Sequence, residues 1–309
     1  MAVTLTQLSA FLTVVRCGSV TAAAEELFVT QPSVSAAIAA LEREVGAKLV
    51  ERDGRGLRPT DAGAAFAPYA AHVLGLLEQG ERAAREAAAG GRTTLRISAV
   101  TAAGDHVVPQ LIRAFRDAHP ELDISLHIGN RSEVFSGLLG HQADVAITGR
   151  VPDDDRLVGE AFAVNEIVLV TAPDDPLAKR RWVAVEELAG RPWLLREPGS
   201  GSRAMAEEWL RQNGLVPSVL TLGSNTAVRE AARAGLGVGL VSRTSAALEL
   251  RMGLLGAIRP RGGLPQRQWF VVRSTVGPPR PPADAFIAFL ASPAARQVLN
   301  RLLDMRERA

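Results

Sequence analysis

From Thr4 onward, apolar residues recur at helical spacing. Thr4-x-x-Gln7 is a capping box, and Leu8, Phe11, Leu12 and Val15 follow at i, i+3, i+4 and i+7, predicting a short amphipathic helix. Gly18 ends it, and Ser19 caps a second helix carrying Val20, Ala23, Ala24 and Leu27 at the same spacing. A third helix is predicted after Thr30, with Pro32 in its first turn and Val34, Ile38 and Leu41 on one face. Three short helices with tight breaks make the pattern of a helix-turn-helix. Residues 49–60 then read as a two-stranded hairpin around Asp53-Gly54, which would form a wing. The stretch from Asp61 to Ala89 has no strand pattern, is rich in Ala, Leu and Glu, and is closed by Gly90-Gly91. It reads as one long helix, kinked or delayed by Pro68. Its apolar Phe66, Val73, Leu74 and Leu77 have no domain of their own to pack against, which predicts the same helix of a second subunit as partner.

Beyond Arg92 strands alternate with helices. Residues 95–100, 124–128 and 144–148 read as strands, with helices around Leu111–Ala118 and Val134–Leu139 between them, a βαβαβ run that predicts a mostly parallel sheet. The second half repeats this logic: strands at 167–171, 193–195 and 237–241, and helices at 202–212 and 227–234. A strand at 268–273 and a helical pattern over 283–303 close the chain. Two such α/β units joined by more than one crossing form a cleft, and ligands of such sheets bind beyond the strand carboxyl ends, near helix N-termini.

The length of 309 residues fits two or three folded units, and 47% hydrophobic with 22% charged residues is a globular composition. The uncharged, apolar stretch Ala62–Leu77 is shorter than a membrane span needs. No basic residue precedes the apolar Leu5–Val15, so a secretory signal is not expected, and the single Cys17 fits the cytoplasm. The net charge of +2 decides nothing about partners. Its distribution says more, because five of the six basic residues before position 60 lie between Arg43 and Arg58. The five histidines show no metal-ligand spacing, so no metal or other cofactor is expected. Gly235–Gly239 follows a helix and enters a strand, the reverse of a dinucleotide fingerprint, and Gly199–Arg203 is not a nucleophile elbow. An enzyme is not expected.

The N-terminal residues resemble the LysR-type transcriptional regulators. The match comprises Leu8-x-x-Phe11, Gly18-Ser19-x-Thr21-x-Ala23-Ala24-x-x-Leu27, Thr30 to Ser35, Ile38-x-x-Leu41-Glu42, Val45-Gly46-x-x-Leu49, Arg52, and Thr60-x-Ala62-Gly63. It continues through residues 129–134, 144–149, 170–178, 196–203 and 223–243, which look most like regulators of carbon-dioxide fixation and sulfur assimilation. The resemblance implies an α/β chain in three parts. A winged helix-turn-helix would span 1–60 and a dimerising linker helix 61–91. A two-lobed, periplasmic-binding-protein-like effector domain would span 92–309, with lobe I from 92–161 and 268–309 and lobe II from 162–267. It also implies a homotetramer, with double-stranded DNA, a small-molecule effector and RNA polymerase as expected partners and no membrane. The alternative is a periplasmic-type solute-binding protein without a DNA role, which would need the signal peptide that is not found.

At the DNA end, a helix in the major groove places its first residues at the base edges. Gln31, Pro32, Ser33 and Ser35 are therefore expected at DNA, the alternative being that Gln31 and Ser33 merely cap the helix. Ala36 and Ala37 stand where relatives usually carry a long polar residue, which shifts recognition toward methyl contacts and DNA shape. In the wing, Arg52, Arg55 and Arg58 are candidates for phosphate or minor-groove contact, against a solvated charged hairpin. Val50 stands where relatives usually have Phe. At the effector end, Ser200, Ser202 and Arg203 lie in a Gly-rich turn before a helix, where amides, hydroxyls and a guanidinium can converge on an anion; the alternative is a turn with Ser202 as cap. By resemblance, Thr101 in the loop after the first strand, Asn130, Arg131, Ser132, Thr148 and Asn225 also line the cleft. Ala102 replaces a second hydroxyl that relatives often carry beside Thr101. The expected ligand is a small anionic metabolite.

Overall fold

The computed structural model describes residues 3–54, 56–88 and 93–304. Residues up to 91, together with Leu139–Gln142, form one compact unit, and the remainder forms a second.

In the first unit, α1 (Leu5–Cys17) opens with the capping box of Thr4 and Gln7 and ends at Gly18 in the left-handed conformation. Ser19 accepts from the Ala22 amide at the start of α2 (Val20–Glu26), and α3 (Gln31–Val45) starts with Pro32 in its first turn. The wing is β1 (Val50–Asp53) paired antiparallel with β2 (Gly56–Pro59). The long helix α4 (Asp61–Ala88) starts without delay and runs through Pro68. Its predicted closure at Gly90-Gly91 falls outside the described residues.

Two of the four apolar residues assigned to a subunit contact on α4 are instead used at home. Phe66 and Leu74 pack with Leu8, Phe11, Leu41 and Leu49, the Phe11 and Phe66 rings lying 5.7 Å apart. What α4 leaves exposed is Tyr69, Val73 and Leu77, a stripe at i, i+4 and i+8. Local bonds explain two family-pattern positions. Buried Glu42 accepts from Lys48 Nζ at 2.6 Å and from the Leu49 amide at 2.9 Å, which ties the end of α3 to the wing. Gly63 lies so close to the Leu49 carbonyl that a Cβ there would stand 1.9 Å from its oxygen, and Thr60 holds this approach by bonding Lys48 O at 2.6 Å.

Residues 139–142 bring two histidines together that no sequence spacing indicates: His72 Nδ1 lies 3.1 Å from His141 Nε2, both buried. Burial, then the neighbouring His72 and Arg82, push His141 down to a pKa of about 4. Among the described residues no group of three metal-ligating side chains forms.

The second unit begins with β3 (Thr94–Val100), α5 (Thr101–His106), α6 (Val108–Ala118), β4 (Asp123–Gly129), α7 (Arg131–Leu139), β5 (Val145–Thr148) and β6 (Leu157–Asn165). It continues with β7 (Ile167–Thr171), β8 (Trp193–Arg196), α8 (Gly201–Gln212), β9 (Val219–Leu222), α9 (Asn225–Arg233), β10 (Gly239–Ser242), α10 (Ala247–Arg251) and β11 (Gly256–Ile258). It ends with β12 (Arg267–Ser274), α11 (Pro281–Leu290) and α12 (Pro293–Asp304).

The expected parallel sheet is only partly present. The five-stranded sheet has the order β4-β3-β5-β12-β6; β4, β3 and β5 run parallel, while β12 is antiparallel to both its neighbours. The reason is connectivity: the chain leaves this lobe along β6 and returns along β12, so the two crossing strands run in opposite directions. Asn165 pairs with Arg267, setting the two crossings side by side. In the other lobe β7 pairs antiparallel with β10 and β11, and only β8 and β9 are parallel. Each lobe has its own core, around Leu111, Phe115 and Phe286 in the first and around Leu169, Trp193 and Trp209 in the second. The pattern over 283–303 is two helices, because Pro293 restarts the chain after Ser292, whose hydroxyl accepts from the Ala295 amide.

Candidate functional site

At the start of α3, Gln31, Pro32, Ser33 and Ser35 are all exposed, while Val34 and Ile38 point into the core. The Thr30 and Ser33 hydroxyls bond each other at 2.8 Å, and Thr30 makes no side-chain bond to the helix backbone. Gln31 and Ser33 therefore do not serve as caps, and the first turn of α3 presents its polar groups outward. In the wing, Arg52 is exposed and makes no ion pair among the described residues. Arg58 is held by Glu51 across the hairpin at 2.7 Å, which spends part of its charge within the protein. Arg55 lies outside the described residues. Lys48, counted in the basic cluster, is the partner of Glu42.

In the second unit a partly open cleft lies between the two lobes. Thr101, Asn130, Arg131, Thr148, Ser200, Ser202 and Asn225 all line it. Thr101 is the first residue of α5 rather than part of a loop, and Arg131, Gly201 and Asn225 begin α7, α8 and α9. Four helices thus start at this cleft, each bringing the positive end of its dipole. Ser132 and Arg203 do not join them. Both line a neighbouring surface groove with Phe135 and Glu207, and Arg203 turns back onto the Arg196 carbonyl at 3.0 Å and onto Glu207 at 2.7 Å.

The walls are polar and buried. Thr148, Asn165, Ser200, Asn225 and Ser242 are each 6% exposed or less. Ser242 donates to Asn165 Oδ1 at 2.8 Å, and Asn225 Oδ1 accepts from Arg196 at 2.6 Å, which leaves both amide NH₂ groups as donors. Four arginines line the cleft, Arg131, Arg150, Arg196 and Arg267, and no carboxylate does. Arg196 is neutralised by a two-pronged pair with Glu197, at 2.7 and 2.8 Å. That pair holds Glu197 below the usual carboxylate range, although burial, the largest influence, acts the other way. Arg267 donates to the Gly149 carbonyl at 2.9 Å, and its pKa is lowered by burial first and then by Arg150 and Arg131.

Two family models match the sequence. The model described as "Bacterial regulatory helix-turn-helix protein, lysR family" matches residues 5–64, and the model of the LysR substrate binding domain matches residues 88–295. The chain belongs to the LysR family of transcriptional regulators. It is a DNA-binding regulator with an effector-binding domain. The HTH-type transcriptional regulator CfxR of Cupriavidus necator is 36% identical over 293 residues, covering 94% of this chain and 91% of that protein. A RuBisCO operon transcriptional regulator of Allochromatium vinosum is 33% identical over 297 residues, covering 96% and 98%. The crystal structure of CbnR, a LysR family transcriptional regulator, matches with a TM-score of 0.63 and 23% identity, covering 96% of this chain and 99% of that one.

For this LysR-type regulator, reading the sequence missed Arg150, Arg196 and Arg267. Arg150 follows Thr148-Gly149 at the carboxyl end of β5, where the rule for ligand placement in open sheets would have found it. Arg267 opens β12, and only the antiparallel pairing with β6 brings it to the cleft. Arg196 directly follows the strand read at 193–195 and entered only as the first residue of the matching segment 196–203.

Proposed function

We propose that this regulator binds double-stranded DNA through the first turn of α3 and through Arg52, and binds a small anionic metabolite in the cleft between its lobes. The observation that carries the second part is the charge of the lining: Arg131, Arg150 and Arg267 face one cavity without a carboxylate among its lining residues. Arg131 and Arg267 are partly buried and Arg150 is exposed at the rim; like charges gathered this closely are costly to the empty protein and favour a ligand of at least two negative charges. Thr101, Asn130, Thr148, Ser200, Ser202 and Asn225 would orient it. This is a binding site rather than an active site, since it offers donors and cations but no base or nucleophile in a polarised pair.

At the DNA end, Gln31, Ser33 and Ser35 would bond to base edges, Pro32 would meet an apolar edge, and Arg52 a phosphate. Arg58 contributes less because of Glu51. We assign residues up to 60 to the DNA-binding part, α4 to dimerisation through Tyr69, Val73 and Leu77, and the remainder to the effector domain. The lobe boundaries fall at the crossings near residues 166 and 266. A homotetramer and contact with RNA polymerase complete the reading.

The test has two arms. Fluorescence anisotropy against the DNA upstream of its own gene, beside a scrambled duplex at several salt concentrations, should show selective, salt-sensitive binding; equal weak binding to both would refute the DNA assignment. Calorimetry with phosphorylated sugars, sulfur oxyanions and dicarboxylates should yield a binder that Arg150→Gln weakens. Heat from none of these classes would refute the ligand assignment.

A further inference from the structure

In the turn between α2 and α3, Leu27 packs against the core, whereas the next residue, Phe28, is 95% exposed. Its φ is +55°, a left-handed conformation that a bulky residue seldom adopts and that Gly or Asn would take at lower cost. The turn itself closes through backbone bonds, Phe28 N to Glu25 O at 3.2 Å and Val29 N to Ala24 O at 3.0 Å, which any residue could make. Neither the fold nor the core therefore uses the phenyl ring. Position supplies the use. Phe28 lies three positions before Gln31, at most about 11 Å of chain, and the major groove is about 12 Å wide. With Gln31 at the base edges, Phe28 is within reach of the groove. Residues 28–33 form one continuous exposed strip.

We propose that Phe28 is an apolar DNA contact that adds sequence selectivity beside the polar residues of α3. This rests on α3 being the recognition helix. In a helix whose Ala36 and Ala37 provide no long polar reader, an aromatic ring meeting thymine methyl groups supplies selectivity that hydrogen bonds do not.

The experiment uses a duplex enriched by the full-length wild-type protein from a random-sequence pool, with a scrambled duplex as control. Phe28→Ala and Phe28→Asn should each raise the Kd for the enriched duplex about tenfold. The scrambled duplex should be bound as by wild type, with an unchanged salt slope, because no phosphate contact is lost. Phe28→Leu should keep most of the selectivity. Phe28→Asn, suited to the left-handed turn, should melt no earlier than wild type, so a loss of affinity cannot be laid to unfolding. Gln31→Ala, run in parallel, separates the two claims. Wild-type affinity in both Phe28 variants with a loss in Gln31→Ala would overturn the Phe28 contact alone. Wild-type affinity in all three would overturn the recognition-helix assignment, and the proposal with it.

Discussion

Replacing Arg267 by Met removes a cation that the empty protein holds at a cost. The side chain sits in the cleft, partly buried, beside Arg131 and Arg150, and among the described residues its one hydrogen bond goes to the Gly149 carbonyl. Losing that bond costs about 1 kcal/mol. Relief of the desolvation and of two like-charge repulsions offsets it, and Met retains most of the apolar stem. The apo protein should therefore melt within about 2 °C of wild type or higher, since about 1 kcal/mol moves a domain of this size by roughly 2–4 °C. Ligand binding should respond in the opposite sense. A charged hydrogen bond contributes about 1.5–3 kcal/mol, so Kd should rise roughly 10- to 150-fold. Differential scanning fluorimetry reads both effects. An anion present at about ten times its Kd stabilises wild type by about 1.4 kcal/mol, a rise of roughly 3–6 °C that should fall below about 2 °C in the variant. Inorganic phosphate serves as minimal probe, beside the tightest anion found by calorimetry. A variant that melts several degrees early yet keeps the full ligand-induced rise would refute the reasoning, because the guanidinium would then be structural and not for the ligand.

Other consequences are equally open to measurement. Gly63→Ala would set a methyl 1.9 Å from the Leu49 carbonyl oxygen, and overpacking of about 1–3 kcal/mol should exceed the gain of about 1 kcal/mol in helix propensity. Urea unfolding followed by circular dichroism should show the loss, and equal or greater stability would mean that the wing yields freely. Arg52→Ala should weaken binding about equally on operator and scrambled duplex and reduce the salt slope by roughly one; a loss confined to the operator would make Arg52 a base reader. His141, held at a pKa of about 4, is protonated in the unfolded chain already near pH 6.5. Because its folded pKa is depressed, the neutral histidine's contribution is fully present above about pH 6.5 and is lost as pH falls toward about 4. His141→Asn, which also tolerates the left-handed backbone, should flatten stability against pH across that window, and an unchanged slope in thermal melts would count against the assignment.

The N-terminal unit was legible because its determinants are local. Thr4, Ser19, Gly18 and Pro32 signal helix ends within a few residues, and the structure uses them so. The parallel strands β3, β4 and β5 were legible for the same reason, as short apolar segments between helices, broken only by single polar residues such as Arg96, Ser125 and His127. What escaped depends on long-range pairing. Strand β6 carries mixed residues because one edge of it is exposed, and it is a strand only through β12, about a hundred residues on. The same pairing hid Arg267. Phe66 and Leu74 were given to a second subunit because periodicity shows an apolar face without showing what covers it. Ser132 was placed by resemblance and Arg203 by its position in the Gly-rich turn, and one turn of α8 suffices to carry Arg203 away from the cleft toward Thr221.

The three arginines that face the cleft without acidic partners have a consequence for what the protein reports. Any small anion in the surrounding solution occupies such a cavity weakly, and mobile ions lower its potential over about 8 Å at physiological ionic strength. On the proposed reading of an anionic ligand, the effector would enter by displacing a background rather than by filling an empty space, and its half-saturation point would rise as that background rises. The regulator would then measure a proportion, effector against competing anions, with a threshold that moves with the ionic state of its surroundings without any change in the protein itself.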